Sequence, residues 1–565
     1  MVRHSALVPI LWLAPLLAAQ GNAVITNQKI SDVEGGFQGV LANGDRFGAA
    51  VCSIGDLDGD GVVDIAVGAP GNDGGGADRG AVWILFLRND GLGPVKSAVK
   101  IDDSTLGLTG LADAAAFGSS VSLVGDLSHD GQPELAVGAP ATDAPGVFGR
   151  VYLLSLTSSG GVAAVTSLAS GVGGIPAILV DEPDPFGESV AGIGDLDGDG
   201  VPDLAIGRKI KNDYGYLFVV RMRADGTARN VLRIGKNEGG LEVEDGEVGN
   251  LFGGTLTRIG DLNQDGVIDL LAGEPSPIHP WSGSYWVLFL EPLGSVVDEI
   301  GWSGHDPFMG DACCLATGLA TIGDVDGDGV QDLLLGAQGR GYYVGPPIPS
   351  NYRQEAGAVV IAQLDRDGTP HGSTEISGIE GNLGASLDRY DHFGGSTAAI
   401  GDFAYGGDGV YDVVVGAPGD DDGGTDRGAL YVLSLEGFAH PPWASVYNGA
   451  HVNDLCLASA DLPFIGEDWA ATVDANGHPG ATQSGLVLSL QSRAPGIFVL
   501  GGEELLVQLG AQRLGSLLGP AGIPTRVLSI PAALELVGLE FSAQGVILGG
   551  AIELCNAIEL VIGAP

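Results

Sequence analysis

Short apolar runs recur along the chain and are cut off by Gly, Asp and Pro. Representative runs lie at residues 65–68, 81–87, 151–155, 286–290 and 429–433. They alternate or are continuously apolar over a few residues, and none keeps a helical period beyond a turn or two. Such runs predict short β-strands separated by tight turns. The one long apolar run elsewhere is at the start, residues 6–17, behind Arg3 and His4. It is too short to span a bilayer and is followed by small residues, so residues 1–23 are predicted to be a secretory signal, cut after Ala19 or Ala23. No later stretch predicts a membrane span. The apolar C-terminus is interrupted by Glu553, Asn556 and Glu559.

The strand pattern is a repeat. Gly55-Asp-Leu-Asp-Gly-Asp-Gly-Val-Val-Asp64-Ile-Ala-Val-Gly-Ala-Pro70 returns in five further copies, whose first Asp residues are Asp126, Asp195, Asp261, Asp324 and Asp402. Five copies carry Phe-Gly eight residues before the Gly of the loop: Phe47-Gly48, Phe117-Gly118, Phe186-Gly187, Phe252-Gly253 and Phe393-Gly394. The fifth copy has Leu315-Ala316 there instead. With four short strands per copy, each repeat predicts one propeller blade; a β-solenoid would repeat over a much shorter interval. Residues 25–47 resemble residues 376–393, which lead to the sixth Phe-Gly. The N-terminal segment is therefore expected to supply the outer strand of the last blade and close the ring. Six motifs predict six blades, or seven if one blade has lost its motif.

Charge narrows the function. The chain has 25 Lys+Arg against 71 Asp+Glu, a formal net charge of −46. Binding to nucleic acid is excluded, because phosphate recognition needs clustered cationic side chains, and docking on anionic lipid is disfavoured. Hydrophobic residues make up 45% of the chain, too many for a disordered acidic tail. A large core wrapped in carboxylates calls for cations.

The loops are where cations would sit. In the first copy, Asp56, Asp58, Asp60 and Asp64 fall at positions 1, 3, 5 and 9. Four carboxylates this close repel unless a cation lies among them. An all-oxygen set with a sharp Gly turn at position 6, here Gly61, fits calcium better than magnesium. An EF-hand would need its last carboxylate at position 12 and flanking helices, but position 12 is Val67 in copy one and Ile206 in copy three. Copies three and five are complete: Asp195, Asp197, Asp199 and Asp203, then Asp324, Asp326, Asp328 and Asp332. Copy two has Asp126, Ser128, Asp130 and Glu134. Copy four has Asp261, Asn263, Asp265 and Asp269. Each of these two lacks one charge and is expected to bind more weakly. Copy six keeps Asp402, Asp408 and Asp412 around an insertion. About five calcium sites are expected, with the sixth interrupted.

Phe-Gly, the Asp loop and Gly-Ala-Pro together resemble the FG-GAP repeat of integrin α-subunit β-propellers, over roughly residues 25–437. The resemblance implies an extracellular calcium-binding propeller whose loops hold the ion between the first two strands of a blade. It also implies ligand binding on the opposite face. Leu315-Ala316, the sixth loop, and the sequences Gly207-Arg208-Lys209 and Gly336-Ala337-Gln338 in place of Gly-Ala-Pro depart from the pattern. On the implied ligand face, the loops after the second strands of copies three to five carry Arg208, Lys209, His279, Trp281, Tyr285, Tyr342, Tyr343, Tyr352 and Arg353. Aromatic rings beside cationic groups form a candidate hot spot for protein or glycan. Packing of these rings against neighbouring blades is the alternative.

The repeat ends near residue 437, and His440-Pro441-Pro442 reads as a linker. The expected organisation is a signal at 1–23, a propeller at 24–437, and at 438–565 a small β-sandwich, which looks like β modules ending secreted bacterial repeat proteins. Of five cysteines, Cys456 and Cys555 lie near the two ends of that last region. A disulfide between them would close a loop of about 100 residues, worth about 4–5 kcal/mol; two buried thiols are the alternative. Adjacent Cys313 and Cys314 allow a vicinal bridge, and Cys52 completes the odd count.

No Gly-x-Ser-x-Gly elbow and no His-Glu-x-x-His motif is present, and the nine histidines are scattered. The reading is all-β: a non-catalytic, secreted or cell-surface propeller for adhesion to protein or glycan. The alternatives are an extracellular carbohydrate-active hydrolase or lyase and a purely structural envelope component.

Overall fold

A computed structural model of the chain describes residues 23–435, except 106, 109, 110, 141–148, 178–184, 209–214, 242–250, 276–282, 304–314, 327, 344–351, 402 and 404–411, and the backbone of strands between 444 and 561. The signal segment, Cys313, Cys314 and Cys456 lie outside the described residues, as does the side chain of Cys555. The chain divides into two compact units, residues 1–323 with 331–436, and residues 324–330 with 437–565.

The first unit is built on six four-stranded antiparallel sheets, with a two-stranded hairpin, Tyr342–Tyr343 with Tyr352–Arg353, beside them. Blade one is Ala50–Gly55, Asp64–Ala69, Ala81–Leu87 and Val95–Ile101. Blades two to five follow in the same order, beginning at Ser120–Gly125, Ser189–Gly194, Thr255–Gly260 and Leu315–Thr321. Blade six takes Ser396–Ala399, Val413–Ala417 and Ala429–Leu435 from the end of the unit, and Val24–Ile30 pairs antiparallel against Ala429–Leu435 as its outer strand. The first strands touch in a closed circle, the sixth returning to the first. The molecule therefore has a six-bladed β-propeller closed by its own N-terminal strand, as the likeness of residues 25–47 to residues 376–393 predicted.

The repeated motif is what holds one blade to the next. Phe47, Phe117, Phe186, Phe252 and Phe393 are all fully buried, and Leu315 takes the same place in blade five. Phe47 packs with Val51 and Ile65 of blade one and with Leu430 and Val432 of blade six, so it fills the joint between them. Burial of such a ring is worth about 1.5–3 kcal/mol. The residue after each Phe turns the chain through left-handed backbone, with φ of 88° at Gly48 and 91° at Gly118. Glycine takes that conformation at no steric cost. Ala316 in blade five adopts it too, at φ 67°, so the departure from Phe-Gly leaves the turn intact.

A ring of hydroxyls fastens the same joints. Ser120 Oγ donates to Gly187 O at 3.0 Å, Ser189 Oγ to Gly253 O at 2.7 Å, and Thr255 Oγ1 to Ala316 O at 2.7 Å. Thr317 Oγ1 donates to Gly394 O at 2.9 Å, and Ser396 Oγ closes the circle on Gly48 O at 2.8 Å. The sixth joint has Ala50 at the hydroxyl position.

In the second unit, Ala444–Tyr447, Ile552–Val561, Glu540–Leu548, Gln483–Ser489 and Arg513–Pro520 form a five-stranded antiparallel sheet in that order. Leu457–Ser459, Asp468–Val473 and Thr525–Ser529 form a three-stranded one, and Phe498–Leu500 pairs with Glu503–Leu505.

Candidate functional site

Each acidic loop joins the first strand of a blade to the second. Its carboxylates first organise the loop itself. Asp56 Oδ1 accepts from the amides of Gly59 and Asp60 at 2.8 and 2.9 Å, and its Oδ2 accepts from Gly61 N at 2.8 Å. Asp60 Oδ1 accepts from Val62 N at 3.0 Å. The bonds from the position-5 and position-6 amides recur around Asp126, Asp195, Asp261 and Asp324.

The carboxylate at position 9 ties the loop to the blade. Asp64 is fully buried; its two oxygens accept from Leu57 N at 2.9 Å and from Leu87 N, on the third strand, at 3.0 Å. Asp203 and Asp269 make the equivalent pairs of bonds. Glu134 accepts from Leu127 N, Asp332 from Leu364 N and Asp412 from Phe403 N. Burial pushes the carboxyls of Asp64, Asp203 and Asp269 up to about 6, against the pull of the amides bonded to them. Burial also raises Glu134. A nearby cation would offset that burial penalty.

Among the described residues, two loops wholly within the first unit bring ligand atoms together. One oxygen each from Asp56, Asp58 and Asp64 lie within 4.8 Å of one another, as do oxygens from Asp195, Asp197 and Asp199. The Asp197 side chain is 7% exposed, and its Oδ1 is buried with no hydrogen-bond partner. An orphaned, buried carboxylate oxygen inside an all-oxygen donor set fits a hard cation such as calcium. Asp126, Ser128 and Asp130, then Asp261, Asn263 and Asp265, occupy corresponding positions in blades two and four. Asp324, Asp326 and Asp328 form the same turn in the fifth loop. Asp402 and Asp408 lie outside the described residues.

Basic side chains reach into loops one and three, which sequence reasoning missed. In every blade the outer strand carries a β-bulge near its start. The extra residue is Lys96, Ala163, Arg229, Val297, His371 and Ile25 in blades one to six. Lys96 Nζ lies 2.7 Å from Asp58 Oδ2 and 2.6 Å from Asp60 Oδ2. Arg229 pairs with Asp197 and Asp199, and Arg221 Nη1 lies 3.3 Å from Asp197 Oδ2. The bond from Lys96 holds the Asp60 carboxyl below its ordinary range.

The first strands begin at the end of the ring opposite the acidic loops, around a cavity of about 720 Å³. Its lining includes Arg46, Glu188, Asp426 and the His392 ring. The aromatic and basic residues singled out in the sequence do not gather at one surface. Tyr285 is fully buried, and Tyr342 and Arg208 are each 5% exposed. Arg208 stacks on the Tyr216 ring at 4.7 Å. Tyr285 and Arg208 sit in blade strands that are covered on both faces, and Tyr342 is buried in a two-residue strand outside the four-stranded sheets. Tyr352 and Arg353 are half-buried and pair with Tyr342–Tyr343 in a short hairpin. That hairpin adjoins the cavity rim: Arg389 Nε donates to Tyr352 O at 2.8 Å and Tyr390 N to Gln354 O at 3.0 Å. Tyr390, next to His392, is 46% exposed. Lys209, His279 and Trp281 lie outside the described residues, as does the side chain of Tyr343. Cys52 is a half-buried free thiol that burial pushes up to about 12. Among the described residues, no helix is long and apolar enough to cross a membrane.

Comparison with known proteins agrees with this architecture. The model of the FG-GAP repeat family matches residues 47–85, 117–154, 186–219 and 317–361, within blades one, two, three and five. Integrin alpha-PS5 of Drosophila melanogaster is 37% identical over 174 residues, 29% of this chain and 15% of that protein. Integrin alpha-6 of Gallus gallus is 35% identical over 190 residues, 32% of this chain and 15% of that protein. The chain thus spans about 15% of the length of these relatives. A fructosyltransferase from A. japonicus aligns over 96% of this chain and 92% of its own at 10% identity, but its TM-score of 0.30 carries no argument. The recurring Phe-Gly turns, the acidic loops and the six closed sheets identify the first unit as an FG-GAP β-propeller.

Proposed function

We propose that this protein is exported, is not an enzyme, and uses a calcium-stabilised propeller to bind an extracellular protein or glycan. Residues 1–23 are its signal, 24–437 the propeller and 438–565 an accessory β-sandwich. Calcium is held by about five loops, through Asp56, Asp58, Asp60 and Asp64 and their counterparts. When bound, the ion neutralises carboxylates that otherwise repel and fixes each loop between its two strands. The chain's own residues do the rest: position 1 folds the turn and position 9 anchors it to the third strand.

The observation that carries the calcium reading is the orphaned Asp197 Oδ1, buried among carboxylates. Ligand binding is supported by the cavity of about 720 Å³ at the other end of the ring, with His392 in its lining, Tyr390 against the His392 ring, and the Tyr352–Arg353 strand bonded to Arg389 and Tyr390 beyond it. A concave mouth with a few polar groups and an aromatic rim is a common binding geometry. The test is capture on an array of glycans and matrix proteins, in calcium and in chelator. Calcium-dependent capture of one ligand class, weakened by Tyr352→Ala with Tyr390→Ala in a folded variant, is expected. A blank array with folded protein would count against the binding reading and favour a structural component.

A further inference from the structure

In blades one to four the bulge residues follow the charge of the loops they overlie. Loops one and three have Asp at position 3, Asp58 and Asp197, and there the bulge residue is Lys96 or Arg229. Loops two and four have Ser128 and Asn263 at position 3, and there the bulge residue is Ala163 or Val297. A bulge aims one side chain out of the regular alternation of its strand. Here it aims an ammonium or a guanidinium at the carboxylate that the neighbouring blades lack. Loop one with Lys96 then carries four carboxylates and one cation, a net charge of −3. Loops two and four, with three carboxylates and no such cation, also carry −3. In blade two the corresponding region is a cavity of about 240 Å³ lined by Ser128, Asp130 and Glu134.

We infer that the outer-strand bulge residue sets the calcium affinity of its own loop, Lys96 and Arg229 acting as built-in counter-ions that compete with the metal for the carboxylates at positions 3 and 5. This rests on the proposed calcium reading. It cancels the simple expectation that loops one and three bind more tightly than two and four. Loop three, with Arg221 as a second guanidinium on Asp197, gains most when its cations are removed.

The experiment is calcium titration of the chelator-treated full-length mature protein by calorimetry, with melting temperatures taken in calcium and in chelator. The Lys96→Met and Arg229→Met variants keep the aliphatic stems and lose the charge. Each is expected to tighten one calcium site about tenfold, since a unit positive charge beside a dication at contact distance is worth that much even in water. Each should also lower the melting temperature in chelator while preserving it in saturating calcium. Val297→Lys should weaken one site by a similar factor. Unchanged or weaker affinity in the Met variants, or equal losses of melting temperature with and without calcium, would overturn the inference and leave the calcium reading standing. A wild-type protein that takes up no calcium would overturn both.

Discussion

A Cβ placed on Gly68 would lie 1.9 Å from the carbonyl oxygen of Gly118 in the next blade. The Gly of Gly-Ala-Pro in one repeat and the Gly of Phe-Gly in the next are thus two halves of one contact. A Cβ on Gly138 would likewise meet Gly187 O, one on Gly207 would meet Gly253 O and one on Gly416 would meet Gly48 O, each at 2.0 Å. The motif repeats because the contact does, once per blade around the ring. Gly68→Ala should therefore force two backbones apart and cost about 1–3 kcal/mol, as overpacking does. Denaturant unfolding measures it; an unchanged midpoint would mean that the joint gives way freely.

The hydroxyl ring predicts opposite signs at two equivalent positions. Ser396→Ala removes the bond to Gly48 O and should lose about 1 kcal/mol. Ala50→Ser supplies the hydroxyl that the joint between blades one and two lacks and should gain up to about 1 kcal/mol. Chemical unfolding of both variants against wild type checks the pair. A loss in both would show that Ala50 is there for packing alone.

Asp197→Ala removes the buried carboxylate with the orphaned oxygen. In calcium a hundredfold above the site's Kd, the variant should lose about 2.7 kcal/mol of ligand-linked stability. In chelator the difference should shrink. Equal losses in both conditions would assign Asp197 to the Arg221 and Arg229 ion pairs and not to the metal.

Asp391 gives a pH signature. It is 4% exposed, and burial, reinforced by Asp420, pushes its carboxyl up to about 7 from an ordinary 3.8. The folded state therefore prefers the protonated form. That stability is fully present below about 4 and is lost as pH rises through 7. Asp391→Asn should flatten this loss while its amide oxygen still accepts from Asp388 N. Unfolding midpoints of both proteins across that range, in saturating calcium to quiet the loops, should converge at low pH and separate above 7. Parallel curves would contradict the shift.

Local features were legible in the sequence. The acidic turn, the Phe-Gly pair and the strand runs are each encoded within a dozen residues, and the ring closure showed in the likeness of residues 25–47 to residues 376–393. Features built from distant residues were not. Lys96 reaches Asp58 across 38 positions and only because the outer strand bulges there. Ser396 reaches Gly48 across 348. The aromatic rim was misjudged at Tyr285, which lies in Ser284–Leu290, a third strand buried on both faces. There the alternation that marks an exposed ring is missing.

The most direct test of the calcium-stabilised propeller is scanning calorimetry of the mature protein in millimolar calcium and in chelator. The account predicts that the propeller transition moves to higher temperature with calcium and rises further with its concentration. A transition at the same temperature in both conditions would contradict it.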